Sequence, residues 1–144
     1  MASVLIADDK AVARRALLSI FEDQFPQGVT CTEALDGVDA VEKARELHPD
    51  VVILDLVMPR LSGLKAAQEI MRVSPGTSVL AVSNYDPKPL YGSLRQAGVR
   101  GFVPKCSAGF ELIPAVESIL RGKTFFGLPS SFPVADAATA EASR

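Results

Sequence analysis

The stretch 51-VVILDLVMPR-60 decides the fold. Val51 to Leu54 and Leu56 are apolar. A run that is apolar at consecutive positions suits a strand covered on both faces, as in a parallel sheet. Asp55 interrupts the run at its end, and Met58-Pro59 breaks the chain after it. A carboxylate at the end of the most hydrophobic segment needs a reason, and the flanking sequence supplies one.

Upstream, SVLIA (3–7) reads as a first strand. Residues 10–24 place Ala13, Leu17, Ile20 and Phe21 on one helical face, stopped by Pro26 and Gly28. VTCTEA (29–34) suits a second strand. Asp36 is placed to cap a helix to Leu47 that ends at His48-Pro49. Downstream, Ser62 is placed to cap a helix to about Val73, closed by Pro75-Gly76. SVLAVS (78–83) is the fourth strand, and a weak helix over 87–97 contains Pro87, Pro89 and Gly92 and ends at Gly98. GFVP (101–104) is a short fifth strand, and Ser107 is placed to cap a last helix with Ile113, Val116 and Leu120 on one face. Pro114 strains that helix, since a mid-helix proline costs about 3 kcal/mol. Either the helix starts late, with Pro114 in its first turn, or it kinks there. The end, LPSSFPVADAATAEASR, is small, polar and proline-containing, as in a linker or tail.

The 144 residues suit one domain. At 48% hydrophobic and 22% charged, the chain can bury an ordinary core. A net charge of −2 argues against a nucleic-acid surface in this segment. Cys31 and Cys106 lack CxxC spacing and read as free thiols of a reducing compartment. No apolar run approaches the roughly 18 residues of a membrane span, and MASVLIADD turns acidic too early for a signal peptide. A cytoplasmic protein is expected.

Alternating βα units imply a parallel sheet with helices on both faces, an α/β doubly wound fold. In such folds ligands sit outside the carboxyl ends of the strands. Asp8-Asp9 ends the first strand, Asp55 the third and Ser83 the fourth, while Lys105 follows the fifth. Each alone has an ordinary explanation: an aspartate after a strand commonly serves a turn or cap, and a lysine is commonly solvated. Together they converge on one sheet edge. Two carboxylates about 4 Å apart repel by roughly 4 kcal/mol at an effective dielectric of about 20. Either a carboxyl holds its proton or a cation sits among them. Oxygen ligands without histidine or thiol point to Mg²⁺ rather than zinc. A Mg²⁺ site beside a lysine and a hydroxyl suits a phosphoryl group, with one carboxylate as nucleophile.

The stretches VLIADD, PDVVILDLVMPRLSGL, VLAVSN and GVRGFVPK carry a resemblance. Over about 2–123 the chain resembles the receiver domain of bacterial two-component response regulators. The family pattern of Asp, two residues, Met-Pro, three residues and Gly is met by Asp55, Met58, Pro59 and Gly63. The ending AGVRGFVPKCSAGFELIPAVESILRGKTFF is most similar to the subfamily with a LuxR-type helix-turn-helix output domain. The resemblance implies a flavodoxin-like five-stranded sheet in the order 2-1-3-4-5. It implies that Asp55 is the phosphoacceptor, and that Asp8, Asp9, Asp55 and the backbone carbonyl of Val57 hold Mg²⁺. Ser83 and Lys105 would contact the phosphoryl group. Phe102 would be the aromatic switch that turns inward when Ser83 moves toward the phosphate. Val57 and Tyr85 would control water access, and because both are bulky, slow autodephosphorylation is expected. The donor would be a partner sensor histidine kinase. A homodimer fits the subfamily.

Residues 1–123 are thus expected to form the phosphoacceptor receiver domain. Residues 124–144 would be a linker or tail leading to a DNA-binding output domain absent from this chain, which would control transcription. The protein would be no enzyme in the ordinary sense but a phosphoacceptor that promotes its own phosphorylation and dephosphorylation. Two rivals remain. A hydrolase of the haloacid-dehalogenase type would need an aspartate where Val57 stands. A pseudo-receiver, an interaction module not regulated by phosphate, is opposed by the intact set Asp8, Asp9, Asp55, Ser83 and Lys105.

Overall fold

A strand apolar on both faces must lie inside a sheet with a layer on each side, and Val51–Asp55 does. The structure, a computed structural model, describes residues 2–25, 28–85 and 88–126. In chain order these form β1 (Ala2–Ala7), α1 (Ala11–Gln24), β2 (Val29–Ala34), α2 (Gly37–Leu47), β3 (Val51–Asp55), α3 (Gly63–Val73), β4 (Ser78–Ser83), α4 (Tyr91–Gln96), β5 (Val99–Pro104) and α5 (Ala108–Leu120). Short 3₁₀ turns, Lys88–Leu90 and Lys105–Ser107, lead into α4 and α5. All neighbouring strands pair in parallel, in the order β2-β1-β3-β4-β5. This is the doubly wound order expected.

Alternate residues of each strand serve two cores. Val4, Ile6, Val51, Ile53, Leu80 and Val82 pack with Leu17 and Phe21 of α1 and Leu112 and Val116 of α5. Leu5, Ala7, Val52, Leu54, Val79 and Ala81 pack with the alanines of α2 and α3, Ile70 and Leu94. Every residue of β3 is buried, and each such Val, Leu or Ile contributes about 1.5–3 kcal/mol relative to exposure.

Local signals set most boundaries. The Asp36 side chain accepts from Asp39 N–H at 2.8 Å, and Ser62 Oγ from Lys65 N–H at 3.3 Å, so both expected caps form. β1 begins one residue earlier than expected and β5 two, because pairing with β2 and β4 recruits residues outside the apolar runs. The fourth helix is shorter than expected. Its first turn, over Lys88–Leu90, is 3₁₀, and only Tyr91–Gln96 is α-helical. Pro26 and Pro87 lie outside the described residues.

For α5 one of the two open readings is excluded and one expectation is corrected. It does not start late: Phe110 to Ile113 are helical before Pro114, which sits mid-helix. Pro114 cannot donate to the carbonyl of Phe110, but Phe110 is 84% exposed, so water can reach that turn. The burial of Leu112, Ile113, Ala115, Val116 and Ile119 holds the helix together across it. Ser107 makes no side-chain cap. The 3₁₀ turn runs straight into α5, so Ser107 lacks the extended backbone that a capping side chain needs. Among the described residues no helix is long and apolar enough to cross a membrane.

Candidate functional site

The strand register builds the site. Ala7 lies beside Leu54, Asp55 beside Val82, and Ser83 beside Pro104. The residues that end these strands therefore come level at one sheet edge. Asp8, Asp55 and Ser83 are buried there, at 0%, 2% and 3% exposure. Asp9, one step further out on the loop, is exposed.

Lys105 ties the strands together. Its Nζ lies 2.9 Å from Asp8 Oδ2 and 3.3 Å from Asp55 Oδ2. The Lys105 side chain is 18% exposed, so the contact is poorly screened. Burial pushes the Asp55 carboxyl above the ordinary carboxylate value; the neighbouring Asp8 adds to the rise, while the Val57 N–H and Lys105 work against it. For Lys105 burial favours the neutral amine, yet the contacts with Asp8 and Asp55 win and raise its pKa. The Asp55 side chain is also oriented locally, since Val57 N–H donates to its Oδ1 at 3.2 Å. Ser83 Oγ accepts from Tyr85 N–H at 3.1 Å. That leaves its own proton to donate elsewhere.

Ligand oxygens of Asp8, Asp9 and Asp55 lie within 4.8 Å of one another. An all-carboxylate set of this size fits a hard divalent cation with oxygen ligands. Beside it opens a cleft of about 210 Å³ lined by Lys10, Asp55, Val57, Ser83, Asn84, Tyr85 and Lys105. Val57 and Tyr85 stand at its mouth, 52% and 69% exposed. Phe102 lies apart, fully buried in the cluster that contains Leu94, Ala97 and Val99.

Gly63 is required where β3 hands over to α3. A Cβ there would meet Leu56 Cα at 2.5 Å and the Asp55 carbonyl oxygen at 2.6 Å. The spacing from Asp55 through Met58-Pro59 to Gly63 thus serves close packing behind the carboxylate.

The chain belongs to the response regulator receiver family. The sequence pattern of the response regulator receiver domain matches residues 4–117. Oxygen regulatory protein NreC of Staphylococcus epidermidis is 37% identical over 123 residues, covering 85% of this chain and 56% of the relative. Response regulator GacA of Pseudomonas viridiflava is 32% identical over 125 residues, 87% of this chain and 58% of the relative. The receiver thus spans little more than half the length of these curated relatives. Among solved structures, a LuxR-family two-component response regulator from Aurantimonas sp. SI85-9A1 matches with a TM-score of 0.85 at 26% identity, covering 100% of this chain and 99% of that one. The signal receiver domain of the putative response regulator NarL from Mycobacterium tuberculosis matches with a TM-score of 0.77 at 29% identity, covering 85% and 98%. These matches place the receiver with the LuxR-type subfamily, and phosphorylation-dependent switching is the general function of its family.

Three residues of the site were not singled out in the sequence. Lys10 and Asn84 line the cleft. Arg14 holds the acidic loop: its Nη1 donates to the Asp8 carbonyl at 2.8 Å, and its Nε to Glu33 Oε1 at 2.8 Å. Lys10 and Asn84 directly adjoin the acidic pair and Ser83, so adjacency could have found them. Nothing local marks Arg14 on α1, because its partner Glu33 lies on β2.

Proposed function

We propose that Asp55 is the phosphoacceptor of this receiver. The observation that carries the reading is the buried contact of Lys105 with both Asp8 and Asp55. A carboxylate oxygen of Asp55 forms the new O–P bond. The N–P bond of a histidine kinase's phosphohistidine breaks, and its electron pair returns to the imidazole. Mg²⁺, held by Asp8, Asp9, Asp55 and the Val57 carbonyl, would offset the negative charge of the phosphoryl oxygens. Lys105 offsets the charge from the opposite side, and Ser83 donates its hydroxyl proton to a phosphoryl oxygen. The Val57 N–H keeps Asp55 aimed while this happens. The orientation supplied by Arg14 keeps the loop of Asp8 and Asp9 in place.

The added phosphate brings about −1.5 to −2 charges to one buried point. Ser83 and the loop of Asn84 and Tyr85 respond first, and Phe102, two strands' width from Asp55, reports the change to α4. Val57 and Tyr85 shield the cleft mouth, so the aspartyl-phosphate hydrolyses slowly. Residues 1–123 act as the receiver and 124–144 as the linker to a DNA-binding output domain, by analogy with the relatives' length. The protein then works in the cytoplasm beside its kinase, and a homodimer is the form expected to reach DNA.

The test is phosphoryl transfer from acetyl phosphate or a histidine kinase with Mg²⁺ present. Wild type is expected to be labelled, and Asp55→Asn to stay at background. Equal labelling of the two would overturn the assignment.

A further inference from the structure

The outer edge of β5 is occupied by the chain itself. Past α5 the backbone turns at Gly122, whose carbonyl accepts from Arg100 Nη2 at 3.1 Å. Phe125 then runs parallel to β5. Its N–H donates to the Arg100 carbonyl at 3.0 Å, and its carbonyl accepts from Phe102 N–H at 2.7 Å. The side chains of Phe125 and Phe126 straddle the sheet edge. Phe125 packs on the core shared with α1 and α5, and Phe126 on the opposite core. The Phe126 ring meets Tyr91 edge-on at 5.3 Å between centroids, with Arg95 at 4.5 Å from its centre. The Tyr91 hydroxyl donates to the Phe126 carbonyl at 3.4 Å. Gly101 is shaped to admit this segment: a Cβ there would stand 2.4 Å from the Phe125 carbonyl oxygen.

These contacts fall on the least secured helix. α4 has six residues and no side-chain cap, and Leu94 is the residue it buries. Phe126 grips it from outside through Tyr91 and Arg95. The same segment holds the backbone of Phe102 by a hydrogen bond, and Phe126 covers the cluster in which the Phe102 ring sits.

We propose that the β5 edge, with Tyr91 and Arg95, is a docking surface for this chain's own residues 124–126. This clasp is coupled to the phosphoryl site through Phe102. The coupling rests on the reading of Asp55 and Ser83 given above. A displacement of Phe102 alters the hydrogen bond to Phe125 and the packing of Phe126 together, so the chain leaving the domain senses the state of the site. By linkage, opening the clasp must in turn change the affinity for a phosphoryl group.

Amide exchange of the full 144-residue chain tests this, in wild type and Phe126→Ala, with and without Mg²⁺ and beryllofluoride as phosphoryl analogue. Phe126→Ala is expected to speed exchange at Phe102 and Phe125 on the order of tenfold and leave Val52 and Ile53 unchanged. Arg95→Gln, which opens no cavity, is expected to act in the same direction with a smaller change. In wild type the analogue is expected to alter exchange at Asn84 and Phe125 together, and Phe126→Ala to change its Kd several-fold. Unchanged exchange at Phe102 and Phe125 in Phe126→Ala would overturn the docking. An analogue response at Asn84 without one at Phe125 would overturn the coupling. A wild type in which neither amide responds refutes the Asp55 reading and the coupling with it, while the Phe126→Ala comparison still decides the docking.

Discussion

The receiver has two unequal halves, and the site is the seam between them. On one side β1, β3, α2 and α3 form a well-secured block: each of these two helices has 11 residues and a side-chain cap, from Asp36 and Ser62. This block carries Asp8, Asp9 and Asp55. On the other side β4 and β5 are equally buried, but a 3₁₀ turn and six-residue α4 connect them. That side carries Ser83, Lys105 and Phe102. The carboxylates that stay close despite their repulsion sit on the firm block, and the groups proposed to answer a phosphate sit beside the weakly held helix. Lys105 is the bridge across the seam.

Removing the bridge has the largest expected effect. Lys105→Met leaves Asp8 and Asp55 facing each other without their cation. In the absence of divalent ions this is expected to cost about 3 kcal/mol, or about 10 °C in Tm. Added Mg²⁺ is expected to restore part of the loss; thermal melts with and without Mg²⁺ check both statements. A Tm equal to that of wild type would make the two halves independent.

Neutralising Asp55 sharpens the same comparison with the opposite sign. Burial holds its carboxyl above the ordinary value of 3.8 in the folded state. A group whose folded pKa is raised costs an acidic residue stability as pH rises from the unfolded value through the folded one. Asp55→Asn escapes that loss. It is expected to melt with wild type in acid and above it at neutral pH, in EDTA, by circular dichroism across the pH series.

Exchange rates compare the halves directly. Amides of residues 91–96 in α4 are expected to exchange faster than those of 63–73 in α3, because α4 buries fewer side chains. Protection of α4 as high as that of α3 would contradict the division. The smallest change concerns lifetime. A wild-type aspartyl-phosphate is expected to persist for minutes or longer, and Val57→Asn to shorten it several-fold by opening the cleft to water. Phosphate release after charging with acetyl phosphate measures this. A lifetime of seconds, unchanged in Val57→Asn, would remove Val57 from the control of hydrolysis.

Much of this is legible in the sequence. Consecutive apolar residues in 51–54 and 79–82 announced strands covered on both faces, and Asp36 and Ser62 announced their helix starts. The gathering of Asp8, Asp9, Asp55, Ser83 and Lys105 was legible because each ends a strand or follows one, and parallel strands bring such ends to one edge. A late start of α5 stayed open because Pro114 carries a strong local penalty, which the burial of Leu112, Ile113 and Val116 outweighs. Ser107 looked like a cap because the turn before it is not written in any local pattern.

By itself, then, the sequence determined the strands, the capped helices and the set of groups at their ends, since period, capping and breaking act over a few residues. Tertiary structure alone decided how those groups meet. Lys105 and Asp8 are 97 residues apart, Arg14 of α1 reaches Glu33 of β2, and Phe125 lies on the edge of β5. Each contact depends on strand order and on burial that strengthens charge pairs and apolar packing, and neither quantity exists until the whole sheet has formed.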